Sequence, residues 1–145
     1  MTKKRSPIST LLRLREIREK QRAGDLAAQR RVEAEALDEL AARRKAHEER
    51  AQPTAQITAA ELRVLSLQGI RSLELVAQAA VALEHEHDLT VEARRRWEDA
   101  NRDLKSVERL DDRRRTEMAL EARRASDRAL DELVVTRRRD QQVRP

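Results

Sequence analysis

The run Glu84-His85-Glu86-His87 places four possible metal ligands next to one another in the middle of the chain. Carboxylate and imidazole groups bind zinc, but on a helix two ligands share a face only when they are three or four residues apart. The two histidines are two residues apart and therefore point to different faces. The run predicts an ordinary helical segment and no metal site.

Hydrolytic chemistry would use the serine, aspartate and histidine residues that the chain also contains. Such groups become catalytic in a concave pocket that excludes water, which a thin pair of helices does not provide. The sequence has no glycine-rich phosphate loop, and without cysteine it has no thiolate nucleophile, disulfide or Cys-ligated zinc site. We therefore predict a protein that is not an enzyme and needs no cofactor.

Three arginine triplets, at 94–96, 113–115 and 137–139, and a pI of about 10.3 raise the question of contact with nucleic-acid phosphates. Acidic residues stand close to each triplet, and the chain has no aromatic platform on which bases could stack. Such runs are more typical of solvated helix faces with ion pairs one turn apart. We predict no nucleic-acid partner and keep a basic, nucleic-acid-associated coiled coil as an alternative.

Charge is distributed unevenly along the 145 residues, whose net charge is +5. Residues 1–51 hold 14 basic and 9 acidic side chains, residues 52–93 hold 2 and 6, and residues 94–145 hold 16 and 12. The middle of the chain is therefore acidic and both outer parts are basic. If the chain folds back on itself, the two basic parts share the open end that carries both termini.

Helices must position all of these groups, because Ala, Glu, Lys, Leu and Arg make up roughly 60% of the chain, above the share that marks long helices and coiled coils. Pro7 suits the first position of a helix at about 7–51, with Ser6 as its N-cap. Pro53 predicts a turn at 52–58. Thr58 and Glu61 form a capping box that begins a second helix at about 59–139, followed by a tail at 140–145.

Two amphipathic helices joined by so short a turn pack antiparallel by default. We predict an all-α fold in one domain, a long antiparallel two-helix coiled-coil hairpin with helix two extending past helix one. Pairing Ala51 with Ala59 would place Pro7 near Asp103. The predicted seam of helix one contains Leu12, Leu26, Leu37 and Leu40, and that of helix two contains Leu62, Leu65, Gly69, Leu73, Val76, Ala80, Leu83, Trp97, Leu104, Val107 and Leu110.

Apolar residues between Ile57 and Leu83 exceed what one seam needs, since Val64, Leu67 and Ile70 fall outside it. A wider core with a third helix or a dimer mate would explain the excess. A face offered to a partner protein would explain it equally. No apolar stretch reaches the length of a secretory signal core or a membrane span, so we expect a cytosolic protein.

The opening SPISTLLRLREIREKQ, the later RRRWEDANRDLKSVERLDDRRRTE and the closing RALDELVVTRRR together resemble the FliJ family of flagellar type III export proteins. In that family a Leu-Arg-Glu-rich first helix is followed by a turn and a long second helix. The second helix carries a Val-Glu-Arg-Leu-rich segment and a Leu-Asp-Glu-Leu motif before a basic tail. Here these features lie at 105–110, 130–133 and 137–139, and the resemblance spans nearly the whole chain.

The resemblance implies an antiparallel coiled coil, similar to the central stalk subunit of rotary ATPases, that acts in bacterial flagellum biogenesis, and hence in motility and chemotaxis. Its expected partners are the flagellar export ATPase (FliI-like), the export gate protein (FlhA-like) and export chaperones. It would associate peripherally, through these partners, with the inner face of the cell membrane at the flagellar base. A generic coiled-coil scaffold of another assembly is the alternative.

The family's gate contact lies early in helix two, at positions spaced i, i+4, i+7 and i+11, with a bulky apolar residue first and a polar or histidine residue last. The resemblance implies two registers near this pattern, the first beginning at Gly69 and the second at Ile70. By analogy, the basic open end would enter the ATPase ring. The implied gate residues are Gly69, Ile70, Leu73, Val76, Ala77 and Ala80, and the implied ATPase residues are Arg13, Arg113, Arg114 and Arg115.

Overall fold

A computed structural model describes residues 7–50 and 56–142. Two helices account for nearly all of them: α1 spans Pro7–Arg50 and α2 spans Ala59–Gln142. The described part of the chain contains no strand, α2 is the longer helix, and the two helices pack against each other, which confirms the predicted all-α hairpin. The predicted N-cap Ser6 and most of the predicted turn, including Pro53, lie outside the described residues.

The start of α2 is fixed by the capping box that the sequence predicts. The Thr58 backbone N–H donates to the Glu61 carboxylate at 2.8 Å, and the Glu61 N–H donates in return to the Thr58 hydroxyl oxygen at 3.3 Å. The Thr58 carbonyl accepts the first helical hydrogen bond from the Leu62 N–H. The backbone N–H groups of Thr58 and Glu61, which have no helical acceptor at the start of a helix, are thereby hydrogen-bonded.

The described residues divide into two units, which we call the central unit (residues 17–50 with 56–101) and the terminal unit (residues 7–16 with 102–142). Each helix contributes to both units. In the central unit, α1 and α2 run antiparallel, because Glu19, early in α1, contacts Trp97, whereas His47, late in α1, contacts the earlier α2 residue Ser72. Its buried apolar side chains are few: Leu26, Leu40 and Ala100.

Polar side chains connect the two helices of the central unit. The Trp97 indole N–H donates to Glu19 at 2.7 Å, and the Gln29 amide donates to the Glu86 carboxylate at 2.6 Å. The other two contacts, at 2.7 Å each, join His87 to Glu33 and His47 to Ser72. An apolar seam alone would allow the helices to slide by a turn, so these pairs specify how the helices align.

The alignment differs from the predicted one. Residue numbers of the four bonded pairs add up to between 115 and 120, whereas pairing Ala51 with Ala59 gives about 110. Arg50, the last residue of α1, therefore lies level with about residue 67 of α2, and the first two turns of α2 precede any α1 neighbour. The sequence-based alignment was wrong because it assumed that both helices begin pairing directly at the turn.

The seam of α2 is also partly different. Leu83 lines the groove between the helices and Val76 is half-buried, but the position that bonds to α1 one turn before Val76 is the buried Ser72, while the predicted seam residue Leu73 is 53% exposed. On α1, Leu26 and Leu40 are buried while Leu37 is 54% exposed. A search for leucines at steps of three and four overlooks a seam position held by a small polar residue.

The terminal unit pairs the first turns of α1 with the middle of α2. The Arg15 guanidinium donates to Asp103 at 2.7 Å, so Pro7 lies level with a position about eight residues past Asp103 and not beside it, as predicted. Val107 is buried as predicted, but the buried residue of the next turn is Asp111, and Leu110 is exposed. Exposed apolar side chains follow along α2: Met118, Leu120, Leu130, Leu133, Val134 and Val135.

Neither helix, over the described residues, carries a stretch that is both long and apolar enough to cross a lipid bilayer.

Candidate functional site

A groove of about 580 Å³ lies between the two helices of the central unit. Its walls are mainly apolar, with Leu37 on α1 and Ala80 on α2 near its centre. A leucine left half in water beside an open groove is the kind of surface at which proteins contact one another. The lining side chains are Arg30, Glu33, Ala34, Leu37, Leu40, Ala80, Leu83, Glu84 and His87.

The charged end of the groove is built around the pair of Glu33 and His87. His87 Nδ1 donates to Glu33 Oε1 at 2.7 Å. The hydrogen bond to Glu33 and then the negative charge of that carboxylate raise the pKa of His87 above its ordinary 6.5. In turn the hydrogen bond from His87, and a second from the Thr90 hydroxyl, lower the pKa of Glu33 below its ordinary 4.5.

The run of alternating Glu and His residues thus acts as a helix-to-helix contact. His87 and Glu86 both bond to α1, whereas His85 is exposed. Among the described residues, no group of three or more His, Cys, Asp or Glu side chains is arranged to hold a metal ion. The sequence-based interpretation recognised that the two histidines diverge but did not identify His87 as a partner of α1.

The six predicted gate residues divide into two sets by exposure. One set is half-buried and the other is exposed, with Leu73 53% exposed. The first register, Gly69, Leu73, Val76 and Ala80, is thus divided between the two sets, because Leu73 is exposed, and its last residue, Ala80, lines the groove. The half-buried set is Gly69, Val76 and Ala80, and the exposed set is Ile70, Leu73 and Ala77.

A third register has the same spacing as the two predicted ones and also matches the residue types that the resemblance implies. Val76, Ala80, Leu83 and His87 are spaced i, i+4, i+7 and i+11, with an apolar residue first and histidine last. The last three line the groove together. The registers inferred from the sequence did not include this set, because they began at Gly69 and Ile70.

His47 and Ser72 join the helices one step further toward the start of α2. The Ser72 hydroxyl donates to the Gly69 carbonyl at 2.8 Å, so its oxygen accepts from His47 Nδ1 at 2.7 Å. Ser72 is 4% exposed. This contact satisfies a buried hydroxyl and joins the two helices.

The first turns of α2 are exposed and apolar. They carry Leu62, Val64, Leu65 and Leu67, which together with Ile57 just before the helix are each at least 38% exposed. Leu62 and Leu65 continue the predicted seam, but they precede the level at which α1 ends. The apolar excess noted in the sequence is therefore a surface feature of the described residues.

The four predicted ATPase residues belong to the terminal unit but do not form one cluster. The Asp111 carboxylate pairs with Arg115 at 2.7 Å and with Arg114 at 3.5 Å. Arg13 and Arg113 are exposed, and no ion pair joins either to another described residue. Since Arg15 lies level with Asp103, Arg13 is level with about residue 105, roughly two turns from the triplet.

Comparison with known proteins identifies the family to which this two-helix chain is related. The family model described as Flagellar FliJ protein matches residues 3–142. No curated protein and no solved structure gives a significant match. Because the family match covers nearly all of the 145 residues, the chain belongs to the flagellar FliJ family.

Proposed function

We propose that this chain is a non-enzymatic component of the flagellar type III export apparatus that couples the export ATPase ring to the export gate and assists export chaperones. Family membership supports a role in flagellar protein export and flagellum biogenesis. We propose in addition the coupling role, the ATPase and the gate as partners, and the assistance to chaperones. The protein acts in the cytoplasm, held by its partners at the inner face of the membrane.

The single observation that carries the proposal is the interhelical groove of the central unit. Ala80, Leu83 and His87 line it at the spacing that the family uses for its gate contact. Leu37 supplies exposed apolar surface on the opposite wall. The gate protein therefore binds at this groove, and Ile70, Leu73 and Ala77 extend the surface along α2, with the half-buried Gly69 and Val76 beside them.

The ATPase contact lies in the terminal unit. Arg13 and Arg113 are exposed cations there, whereas Arg114 and Arg115 are held by Asp111. Exposed guanidinium groups steer a chain toward an acidic ring surface and add more to the association rate than to final affinity. Binding to the ATPase is consequently weakened by salt more than binding to the gate is.

Binding of the purified chain to the cytoplasmic domain of the gate protein tests the proposal. Leu37→Asp puts a carboxylate on the groove wall and weakens gate binding at least tenfold, because a desolvated charge without a partner is costly. Val32→Asp is the matched control, since Val32 is a comparably exposed α1 residue that does not line the groove.

The outcome is interpreted together with ATPase turnover. The wild-type chain and both variants raise the turnover of the flagellar export ATPase equally, because neither position lies in the terminal unit. Equal gate binding by the two variants would remove the groove from the account. If the wild-type chain neither binds the gate nor affects the ATPase, the coupling role is wrong.

A further inference from the structure

The pair of His87 and Glu33 is placed to control the groove as well as to line it. The two side chains come from different helices and meet at 2.7 Å at one end of the groove. Their contact holds α1 and α2 together at that point. The Glu33 carboxylate is 25% exposed and the His87 ring 62% exposed, so protons from solvent reach the pair directly.

Other charged groups surround the pair on both helices. On α1, Arg30 lies beside Glu33 and also lines the groove. On α2, Asp88 adds negative charge next to His87, and Glu84 lines the groove one turn away. Negative groups outnumber Arg30 around the imidazole, so its environment favours the protonated ring.

We propose that His87 and Glu33 form a proton-sensitive latch between α1 and α2, closed when the imidazole is charged and loosened when it is neutral, so that the groove holds its partner more tightly at mildly acidic pH. The latch itself follows from the geometry of the two helices. Only its effect on partner binding rests on the proposed gate contact.

The pH window follows from the directions of the two shifts. Because the pKa of His87 is raised, its contribution to folding is complete below 6.5 and is lost as pH rises through the higher folded value. Because the pKa of Glu33 is lowered, its contribution is complete above 4.5 and is lost as pH falls through the lower folded value. The latch is therefore fully closed between about pH 4.5 and 6.5 and loosens on the alkaline side.

Proton NMR of the three histidine rings measures the latch without any partner. The His87 ring titrates above 6.5, and in Glu33→Gln its midpoint moves down, because the amide removes the charge that favours the imidazolium. His85→Gln serves as the assignment control. His85 is exposed on the same helix, but Glu33 bonds to His87. A His87 midpoint that is the same in both variants would overturn the latch.

Thermal unfolding gives a second measurement on the full chain. Between pH 6 and pH 8.5, the melting temperature of the wild type falls by about 2 °C more than that of His87→Gln. This effect has the size expected for an exposed ion pair. The His85→Gln variant keeps the wild-type pH dependence. Parallel pH curves for wild type and His87→Gln would contradict the latch, whatever happens to gate binding.

Gate binding at the same two pH values completes the test. The affinity of the wild-type chain for the gate domain falls from pH 6 to pH 8.5 by about threefold more than the affinity of His87→Gln falls over the same range. If NMR titration and thermal unfolding both detect the latch but gate binding shows no such pH dependence, the groove is not the gate site. A gate that does not bind at any pH would refute the proposed function and leave the latch standing on the first two measurements.

Discussion

At the scale of single residues, polar side chains in the seam decide how the helices align. Among the residues of the central unit that the structure describes, Leu26, Leu40 and Ala100 are the buried apolar ones, too few to fix one alignment by packing. Hydrogen bonds such as those of Trp97 with Glu19 and of Gln29 with Glu86 are lost if the helices slide by one turn. Polar seam residues commonly trade some stability for a defined register in this way.

The capping box provides a prediction at the same scale. Thr58→Ala removes the hydroxyl that accepts from the Glu61 N–H, and it should lower the free energy of unfolding by about 1 kcal/mol. Thr58→Ser keeps the hydroxyl and should lie close to wild type. Denaturant unfolding followed by circular dichroism measures both variants, and equal losses would show that the cap does not stabilise α2.

At the scale of the elements, α2 has one face packed toward α1 and another face exposed to solvent. The seam face carries Val76 and Ser72, while the outer face carries Leu73 and Val81. Periodicity predicted a helix with an apolar excess, but it assigned Leu73 to the seam. A small polar residue such as Ser72 looks like an interruption in the sequence, although it becomes a seam residue once His47 bonds to it.

A pair of aspartate substitutions separates the two faces. Val76→Asp places a charge toward α1 and should lower the free energy of unfolding by about 1–3 kcal/mol. Leu73→Asp lies on the outer face and should change it by no more than about 0.5 kcal/mol. Melting curves of the two variants test this assignment, which would be reversed if Leu73→Asp were the more damaging change.

At the scale of the whole molecule, the sequence was sufficient for the fold class and the family but not for the alignment of the helices. The prolines, the capping box at Thr58 and the leucine spacing give two helices and a hairpin. The alignment depends on side chains from distant parts of the chain that must satisfy one another, such as Gln29 with Glu86. No local pattern encodes such a pairing, which is why the groove between Leu37 and Ala80 could not be predicted.

The central claim is that α1 and α2 pack antiparallel in the alignment that forms this groove. Cysteine cross-linking tests it cleanly, because the chain contains no cysteine of its own. Treated with a short bifunctional thiol reagent, the variant carrying His47→Cys and Ser72→Cys should cross-link within one chain, since the side chains at 47 and 72 contact each other at 2.7 Å. The variant carrying His47→Cys and Arg63→Cys, which matches the alignment expected from the turn alone, should link far more slowly. Efficient linking of 47 to 63, or no linking of 47 to 72 in the monomer, would contradict the alignment and the groove that depends on it.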